Sequence, residues 1–266
     1  MKTSKITFLA LPALALLASN ADAGFYTSGP WSTSDMDGST WEVYGDAVND
    51  HPGTQSDLAN CVPGVLAWAG RMSSAGYSYQ VGTDIDAWSV DFEEAGLDDL
   101  YGDAADYAYI STHGGSDYVA FNGSVGDNAL TSGETYWGEL DMDVIAIDAC
   151  NVLDANGRWS IFSNGLNDGT HFVLGFDSVS LDTASNADLY GYYLTQGYTH
   201  VSAWYSSTTA SHPATYTFPN GGPTVNLVAS FVQFYSPSCN TWNDTMNTVS
   251  CDPKYDSWGA YSTWGL

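Results

Sequence analysis

Two short apolar runs that each end in a reactive residue constrain the fold of this chain more than any other feature. Residues 105–112 lead into His113, and residues 143–149 lead into Cys150. Apolar runs of this length are typical of strands that are covered on both faces, as in a parallel sheet. Ligands of open α/β sheets bind outside the carboxyl ends of the strands. We therefore expect the imidazole of His113 and the thiol of Cys150 to face one site, where such a pair can form an activated nucleophile.

A third apolar run and two helical patterns predict an α/β domain. Residues 171–176 form the third run, and residues 60–75 and 187–196 carry apolar side chains at helical spacing before a glycine. Alternation of strands with helices is typical of a parallel sheet. We expect one domain over residues 24–266, with a mainly parallel central sheet flanked by helices. In that sheet the three apolar runs should point the same way.

The first 23 residues predict a secretory signal peptide. Lys2 and Lys5 give a positive start, residues 8–18 are apolar, and residues 21–23 form a small-residue cleavage site. The apolar stretch is too short to cross a bilayer as a helix, and no later segment qualifies. We therefore expect a secreted protein, extracellular or periplasmic, without a membrane span.

The chain is strongly acidic, with 31 Asp and Glu residues, five Lys and Arg residues and a formal net charge of −26. Because such a charge repels phosphate backbones, we expect no nucleic-acid partner. The acidic surface either attracts basic substrates or calcium, or serves only to solvate the protein in a salty or cold marine habitat. Residues 35–38 resemble the start of a calcium loop, but Asp46 stands where that loop needs Glu. We therefore expect no cofactor, with calcium as the alternative.

Four cysteines allow two disulfides in a secreted protein. Cys239 and Cys251 are close in sequence in a loop-rich segment, and we expect them to pair. Cys61 then either bonds Cys150, which would abolish the nucleophile, or stays a free thiol buried on its helix. The position of Cys150 at a strand end favours the free thiol. None of the five histidines has metal-ligand spacing with another, so no metal site is expected.

The ends of the two apolar runs, at His113 and at Cys150, resemble a known protein family. A hydrophobic block ending in His113-Gly114, followed by one ending in Asp148-Ala149-Cys150, resembles the caspase-hemoglobinase cysteine peptidases (clan CD), which include caspases, legumains, gingipains and clostripain. The sequence before Cys150 is nearer to the legumain-type Glu-Ala-Cys than to the caspase Gln-Ala-Cys. The resemblance covers residues 104–205, and residues 151–153 depart from the Ser/Gly-rich continuation of several members. The chain is also similar to an uncharacterised group of secreted prokaryotic domains with the same two blocks.

This resemblance implies a cysteine endopeptidase that acts on a peptide or protein, of basic character if the acidic surface is selective. Cys150 would be the nucleophile and His113 would protonate the leaving amine. The backbone N–H groups of Gly114 and Cys150 would receive the oxyanion. Asp148 would line the pocket for the residue before the cut and would favour Arg, Lys or Asn there. Two further residues are candidates for the wall of a cleft, Asp117 and Trp137.

Two other functions remain open at this stage. One is a non-catalytic descendant of the same fold that binds a partner or a surface. The other is a carbohydrate-binding or carbohydrate-active protein that uses some of its 10 Trp and 18 Tyr residues. The peptidase hypothesis requires one further condition. The negative electrostatic field of this acidic chain disfavours the thiolate form of Cys150. His113 must then lie close enough to Cys150 to form a local ion pair, which would alkylate fast near neutral pH.

Overall fold

A computed structural model describes residues 24–33, 41–52, 55–122, 128–166, 168–254 and 256–266. The expected signal peptide and the calcium-like segment at residues 35–38 lie outside these ranges. No helix in the described ranges combines the length and apolar character that crossing a bilayer requires.

The described part of the chain contains thirteen strands and four α-helices. The strands are β1 (Gly24–Ser28), β2 (Glu42–Ala47), β3 (Ser78–Thr83), β4 (Tyr107–Ser111), β5 (Gly114–Gly115), β6 (Tyr118–Ala120), β7 (Ala129–Thr131), β8 (Val144–Asp148), β9 (Phe172–Phe176), β10 (Thr215–Thr217), β11 (Thr224–Asn226), β12 (Val228–Tyr235) and β13 (Trp258–Gly265). The helices are α1 (Cys61–Ser74), α2 (Gly157–Asn164), α3 (Ala184–Thr195) and α4 (His200–Ser211).

Eight of these strands form one mixed sheet in the order β1-β3-β2-β4-β8-β9-β12-β13. The pairs from β3 to β9 are parallel, whereas β1–β3, β9–β12 and β12–β13 are antiparallel. The three apolar runs do become the parallel neighbours β4, β8 and β9. The expectation of a mainly parallel sheet is nevertheless wrong, since three of the seven pairings are antiparallel and the domain is rich in strands.

Alternating side chains of the parallel strands feed two separate cores. Tyr109 and Ala146 point into one core, while Ile110 and Ile147 point into the other. Successive side chains of a strand face opposite sides of the sheet, so the two cores lie on its two faces. β4, β8 and β9 are buried along their whole length because both faces are covered, which explains their unbroken apolar sequence.

The two faces are covered in different ways, and this also corrects the expectation of flanking helices. α3 contacts both α1 and α4, and the three helices pack Trp68, Tyr190 and Trp204 onto the first face. The second face is covered by irregular segments with Phe92 and Trp137, by the small antiparallel sheet β5–β6–β7, and by the short helix α2. The larger helices are therefore confined to one side.

The parallel strands give the sheet two polar edges. At their carboxyl ends, backbone hydrogen bonds run from Val48 to Ser111 and from Thr112 to Asp148. At their amino ends, the N–H groups of Asp143 and His171 donate to the carbonyls of Asp106 and Asp143, respectively. We call these the carboxyl edge and the amino edge. The two candidate sites described below lie at these two edges.

Candidate active site

A cavity of about 90 Å³ lies at the carboxyl edge, where β4, β8 and β9 end. We call it the thiol cavity because two cysteines contribute to its wall. The lining side chains with reactive or charged groups are Cys61, His113, Asp148, Cys150, Ser180 and Asp182. The structure therefore brings both members of the expected dyad, and Asp148, to one cavity.

The chain reversals after β4 and β8 are packed directly against each other. A methyl group added to Gly114 would lie 2.9 Å from Cβ of Ala149, 2.9 Å from Cγ1 of Val152 and 3.0 Å from the carbonyl oxygen of Cys150. Glycine is needed here because a side chain would separate the two segments. The close approach is between two parts of this chain, and it holds the His113 turn beside the Cys150 turn.

His113 is held by a backbone carbonyl at its Nε2 atom. The Nε2–H group donates to the carbonyl oxygen of Ser56 at 2.7 Å. A carbonyl oxygen can only accept, so in the neutral imidazole Nδ1 carries the free lone pair. The ring also lies 4.5 Å, between centroids, from that of His51. Burial, together with the nearby His113, lowers the pKa of His51 to about 4. His51 is therefore neutral at physiological pH.

The Cys150 thiol interacts with Ser180 from the loop after β9. Its Sγ lies 3.6 Å from the carbonyl oxygen of Ser180 and accepts the Ser180 N–H at 3.4 Å. Burial and the charge of Asp148 raise the pKa of the Cys150 thiol, against the opposing Ser180 N–H bond. No hydrogen bond between His113 and Cys150 occurs among the described residues. This arrangement therefore favours the protonated thiol, contrary to the preformed thiolate expected from the sequence.

Asp148 is buried and its carboxylate oxygens already have partners. One oxygen accepts from the hydroxyl of Ser180. The other accepts from Nδ2 of Asn186 at 2.8 Å and from the hydroxyl of Tyr109 at 3.3 Å. Burial raises the pKa of Asp148, while the nearby His212 and these hydrogen bonds oppose that effect. The residue therefore forms the floor of the cavity rather than a freely exposed charge.

Asp182 closes another side of the cavity and anchors α1. Its carboxylate accepts the backbone N–H of Ala59 at 2.8 Å and that of Asn60 at 3.0 Å. Cys61, the first residue of α1, is buried with Sγ 3.8 Å from Oδ1 of Asp182. Burial raises the pKa of the Cys61 thiol well above its usual value. Cys61 is thus the less reactive of the two cavity thiols.

The remaining expected site residues lie elsewhere. Trp137 is 2% exposed, donates from Nε1 to the carbonyl of Phe92 at 2.9 Å, and belongs to the second core. The carboxylate of Asp117 accepts from the hydroxyl of Ser132. Both residues border a separate void of about 10 Å³. The structure therefore does not bring Asp117 or Trp137 to the thiol cavity.

All four cysteines are free thiols in the structure. Cys239 and Cys251 are nevertheless close enough to interact. Burial and the neighbouring Cys251 raise the pKa of Cys239 to about 12. The disulfide between these two residues stays a prediction.

Ser180 and Asp182 were not expected from the sequence. Both lie in the loop after β9, the third parallel strand of the group. The signal that could have found them is their position: residues 177–182 follow a strand of the predicted parallel group, and ligands bind at the carboxyl ends of such strands. His51 follows β2 and reaches the same edge for the same reason.

Two groups of side chains at the amino edge could hold a metal ion. Two groups of described residues present three donor atoms within 4.8 Å of one another: Asp143, His171 and Asp252, and Glu42, Asp106 and Asp141. Sequence spacing could not indicate either group, because the members of each come from distant segments.

The chain belongs to the family described as Domain of unknown function (DUF6345), whose model matches residues 45–250. The match includes the thiol cavity and the parallel strands beneath it. A comparison with curated proteins gave no match.

Proposed function

We propose that this protein is a secreted cysteine-dependent peptidase, with Cys150 as the nucleophile and His113 as the general acid–base. One observation carries the proposal: the two side chains follow adjacent parallel strands and line the same cavity. The close packing of Gly114 against Ala149 and Cys150 supports it, because it gives the two turns a defined relation. The resemblance of the two apolar runs and their His113 and Cys150 ends to the caspase-hemoglobinase peptidases is a further reason for the proposal.

The reaction would begin from the protonated thiol. Nδ1 of His113 takes the Cys150 proton as Sγ adds to the substrate carbonyl carbon, and His113 then gives that proton to the leaving amine. Water afterwards hydrolyses the thioester and regenerates the thiol. The hydrogen bond from Nε2 to Ser56 supports this role, because it directs the basic lone pair to Nδ1.

The oxyanion would be received by the backbone N–H groups of Cys150 and Gly114. None of the backbone hydrogen bonds between described loop residues uses the N–H of Cys150, so this donor is free to bind a ligand. Ser180 would release the Cys150 sulfur when substrate enters, since a thiol is only a weak donor to the Ser180 carbonyl.

The substrate would carry Arg, Lys or Asn before the cut. Asp148 and Asp182 both line the cavity, and the net charge of −26 favours a basic peptide. Hydrolysis of a peptide library that varies this position measures the preference. A profile dominated by Asp or by large apolar residues would contradict it.

The proposal is tested by assaying the purified chain on that library together with matched cysteine variants. We expect Cys150→Ala to abolish hydrolysis, and Cys61→Ala, which removes the other thiol of the same cavity, to retain it. His113→Ala should lower kcat by about 10²–10⁴-fold, whereas His51→Gln should change it little. Full activity in Cys150→Ala overturns the proposal. A folded wild-type protein that hydrolyses no peptide would instead favour the partner-binding alternative.

A further inference from the structure

His171 at the amino edge is the most unusual polar side chain of the molecule. It immediately precedes β9 and is completely buried. Its Nε2 atom has no hydrogen-bond partner among the described residues. The nearest oxygens are Oδ1 of Asp143 at 3.4 Å and Oδ1 of Asp252 at 3.9 Å. A buried, unpartnered nitrogen that faces two carboxylates indicates a missing ligand between them.

The other ring nitrogen is fully engaged. Nδ1 lies 2.7 Å from Oδ2 of Asp244, which is itself buried. The hydroxyl of Ser250 donates to the second Asp244 oxygen at 2.7 Å. A carboxylate that receives Nδ1–H leaves Nε2 as the lone-pair donor in the neutral ring. This is the arrangement that supports metal-ligating histidines, because the second carboxylate orients the ring and raises its basicity.

The geometry of the three donors suits a small transition-metal ion. Ligands about 2.1 Å from a tetrahedral zinc ion lie roughly 3.4 Å apart. The measured separations from Nε2, 3.4 Å and 3.9 Å, are close to that spacing. Lys254 holds Oδ2 of Asp252 at 3.0 Å and leaves Oδ1 facing His171.

We propose that Asp143, His171 and Asp252 bind one divalent transition-metal ion of the zinc class. One imidazole and two carboxylates suit zinc better than calcium or magnesium, which prefer oxygen ligands alone. The ion would join the amino ends of β8 and β9 to the C-terminal segment that carries Asp244, Asp252 and Lys254. The site would be structural, since it lies at the edge of the sheet opposite the thiol cavity.

The rival explanation is an imidazolium ion held by the same carboxylates. Burial opposes that charge, but the hydrogen bond to Asp244 and the nearby carboxylates of Asp252 and Asp143 raise the pKa of His171 to about 10. On this view the unfilled space between Nε2 and the two aspartates binds nothing. A metal ion would displace the Nε2 proton into solvent, so the two explanations differ in whether the folded chain binds metal stoichiometrically.

The test is a zinc titration of the full chain after removal of metal by a chelator, followed by calorimetry and metal analysis. We expect one zinc ion per chain. Asp252→Asn should weaken binding by at least about tenfold. Asp177→Asn is the matched control, because Asp177 is also a half-buried carboxylate paired with a single cation, Arg158. It should bind like the wild type.

Two further variants distinguish the proposed metal site from zinc binding by thiols and from a loss of folding. Cys150→Ala should leave the zinc affinity unchanged, which separates this site from zinc bound by cavity thiols and from the peptidase proposal. His171→Gln should lose binding while retaining the far-ultraviolet circular dichroism of a folded chain, and if it does not fold, Asp143→Asn replaces it. Wild-type protein that binds no stoichiometric zinc overturns the proposal. So does equal binding by Asp252→Asn and Asp177→Asn.

Discussion

The carboxyl and amino edges are built on the same parallel strands, yet they hold their polar groups in different ways. At the carboxyl edge, a cavity of about 90 Å³ separates the reactive groups, and Cys150 is only half-buried. At the amino edge, Asp143 and Asp244 surround the fully buried His171. The first edge leaves room for an organic ligand, while the second leaves room for an ion at most.

The comparison shows two ways in which a very acidic protein stabilises its buried carboxylates. Carboxylates at the carboxyl edge bind hydrogen-bond donors of the chain: Asp148 accepts from Ser180 and Asn186, and Asp182 accepts from the start of α1. Asp143, Asp244 and Asp252 at the amino edge surround an imidazole instead. Stability around His171 therefore depends on a positive charge, whereas that of the carboxyl edge depends on hydrogen bonds from uncharged donors and on close packing.

The largest expected effect comes from removing the positive group at the amino edge. With chelator present, His171→Ala should lower the free energy of unfolding by about 3–5 kcal/mol, because it leaves buried carboxylates without a partner. Asp188→Asn breaks the exposed pair with Arg71 and should cost about 0–1 kcal/mol. Denaturant unfolding measures both. Equal losses in the two variants would mean that the buried carboxylates of the amino edge do not depend on the imidazole of His171.

A smaller effect is expected from packing at the carboxyl edge. Gly114→Ala should lower the free energy of unfolding by about 1–3 kcal/mol, since its methyl group would lie 2.9 Å from Ala149 and Val152. Gly133→Ala is the control, as the nearest atom to its new methyl group is Oγ1 of Thr131 at 3.9 Å. Urea unfolding of both variants checks this. If Gly114→Ala left the free energy of unfolding unchanged, the two turns would not be tightly packed against each other.

The last expected effect is a dependence of stability on pH that originates at the amino edge. Burial raises the pKa of Asp106 to about 9, and the pKa of His171 is raised to about 10. The unfolded chain would lose these protons near pH 4 and pH 6.5, respectively. The folded state therefore holds more protons between pH 6.5 and 9, and its stability should fall as pH rises through that window.

Thermal unfolding across this window, with chelator present, measures the slope. We expect Tm to fall by several degrees per pH unit, because the folded chain holds about two more protons than the unfolded chain in this window. Asp106→Asn should flatten the decline. His51→Gln should not, because the lowered pKa of His51, about 4, affects stability only below pH 6.5. A Tm that rises with pH would contradict the assignment.

The local patterns of the sequence predicted the elements that carry the site. The apolar runs became β4, β8 and β9, and the helix expected over residues 60–75 is α1 (Cys61–Ser74). These features depend on neighbours in sequence, which is why they could be inferred. The start of α1 shows the limit of such inference. Asn60 makes no capping bond with its side chain, and Asn49 and Asp182 satisfy the N–H groups there instead.

Features that depend on distant parts of the chain could not be predicted. The antiparallel partners β12 and β13 are strand-like in composition, but nothing local assigns them to the main sheet. Trp137 was expected in a cleft and lies in the core instead, because an aromatic side chain in a covering loop gains most by burial. The cluster around His171 joins residues from three separate segments, so no spacing rule could indicate it.

The central claim is that Cys150 and His113 act as a pair at the carboxyl edge. It is tested most directly by the rate of iodoacetamide labelling without reductant, followed by peptide mapping at several pH values. We expect Cys150 to label faster than Cys61, with a rate that rises up to and beyond pH 9 because its thiol pKa is raised. His113→Gln should slow the labelling of Cys150 by several-fold to about tenfold, since it removes the base that takes the thiol proton. His51→Gln should not. An unlabelled Cys150 linked to Cys61, or a rate that is the same in His113→Gln, would contradict the account.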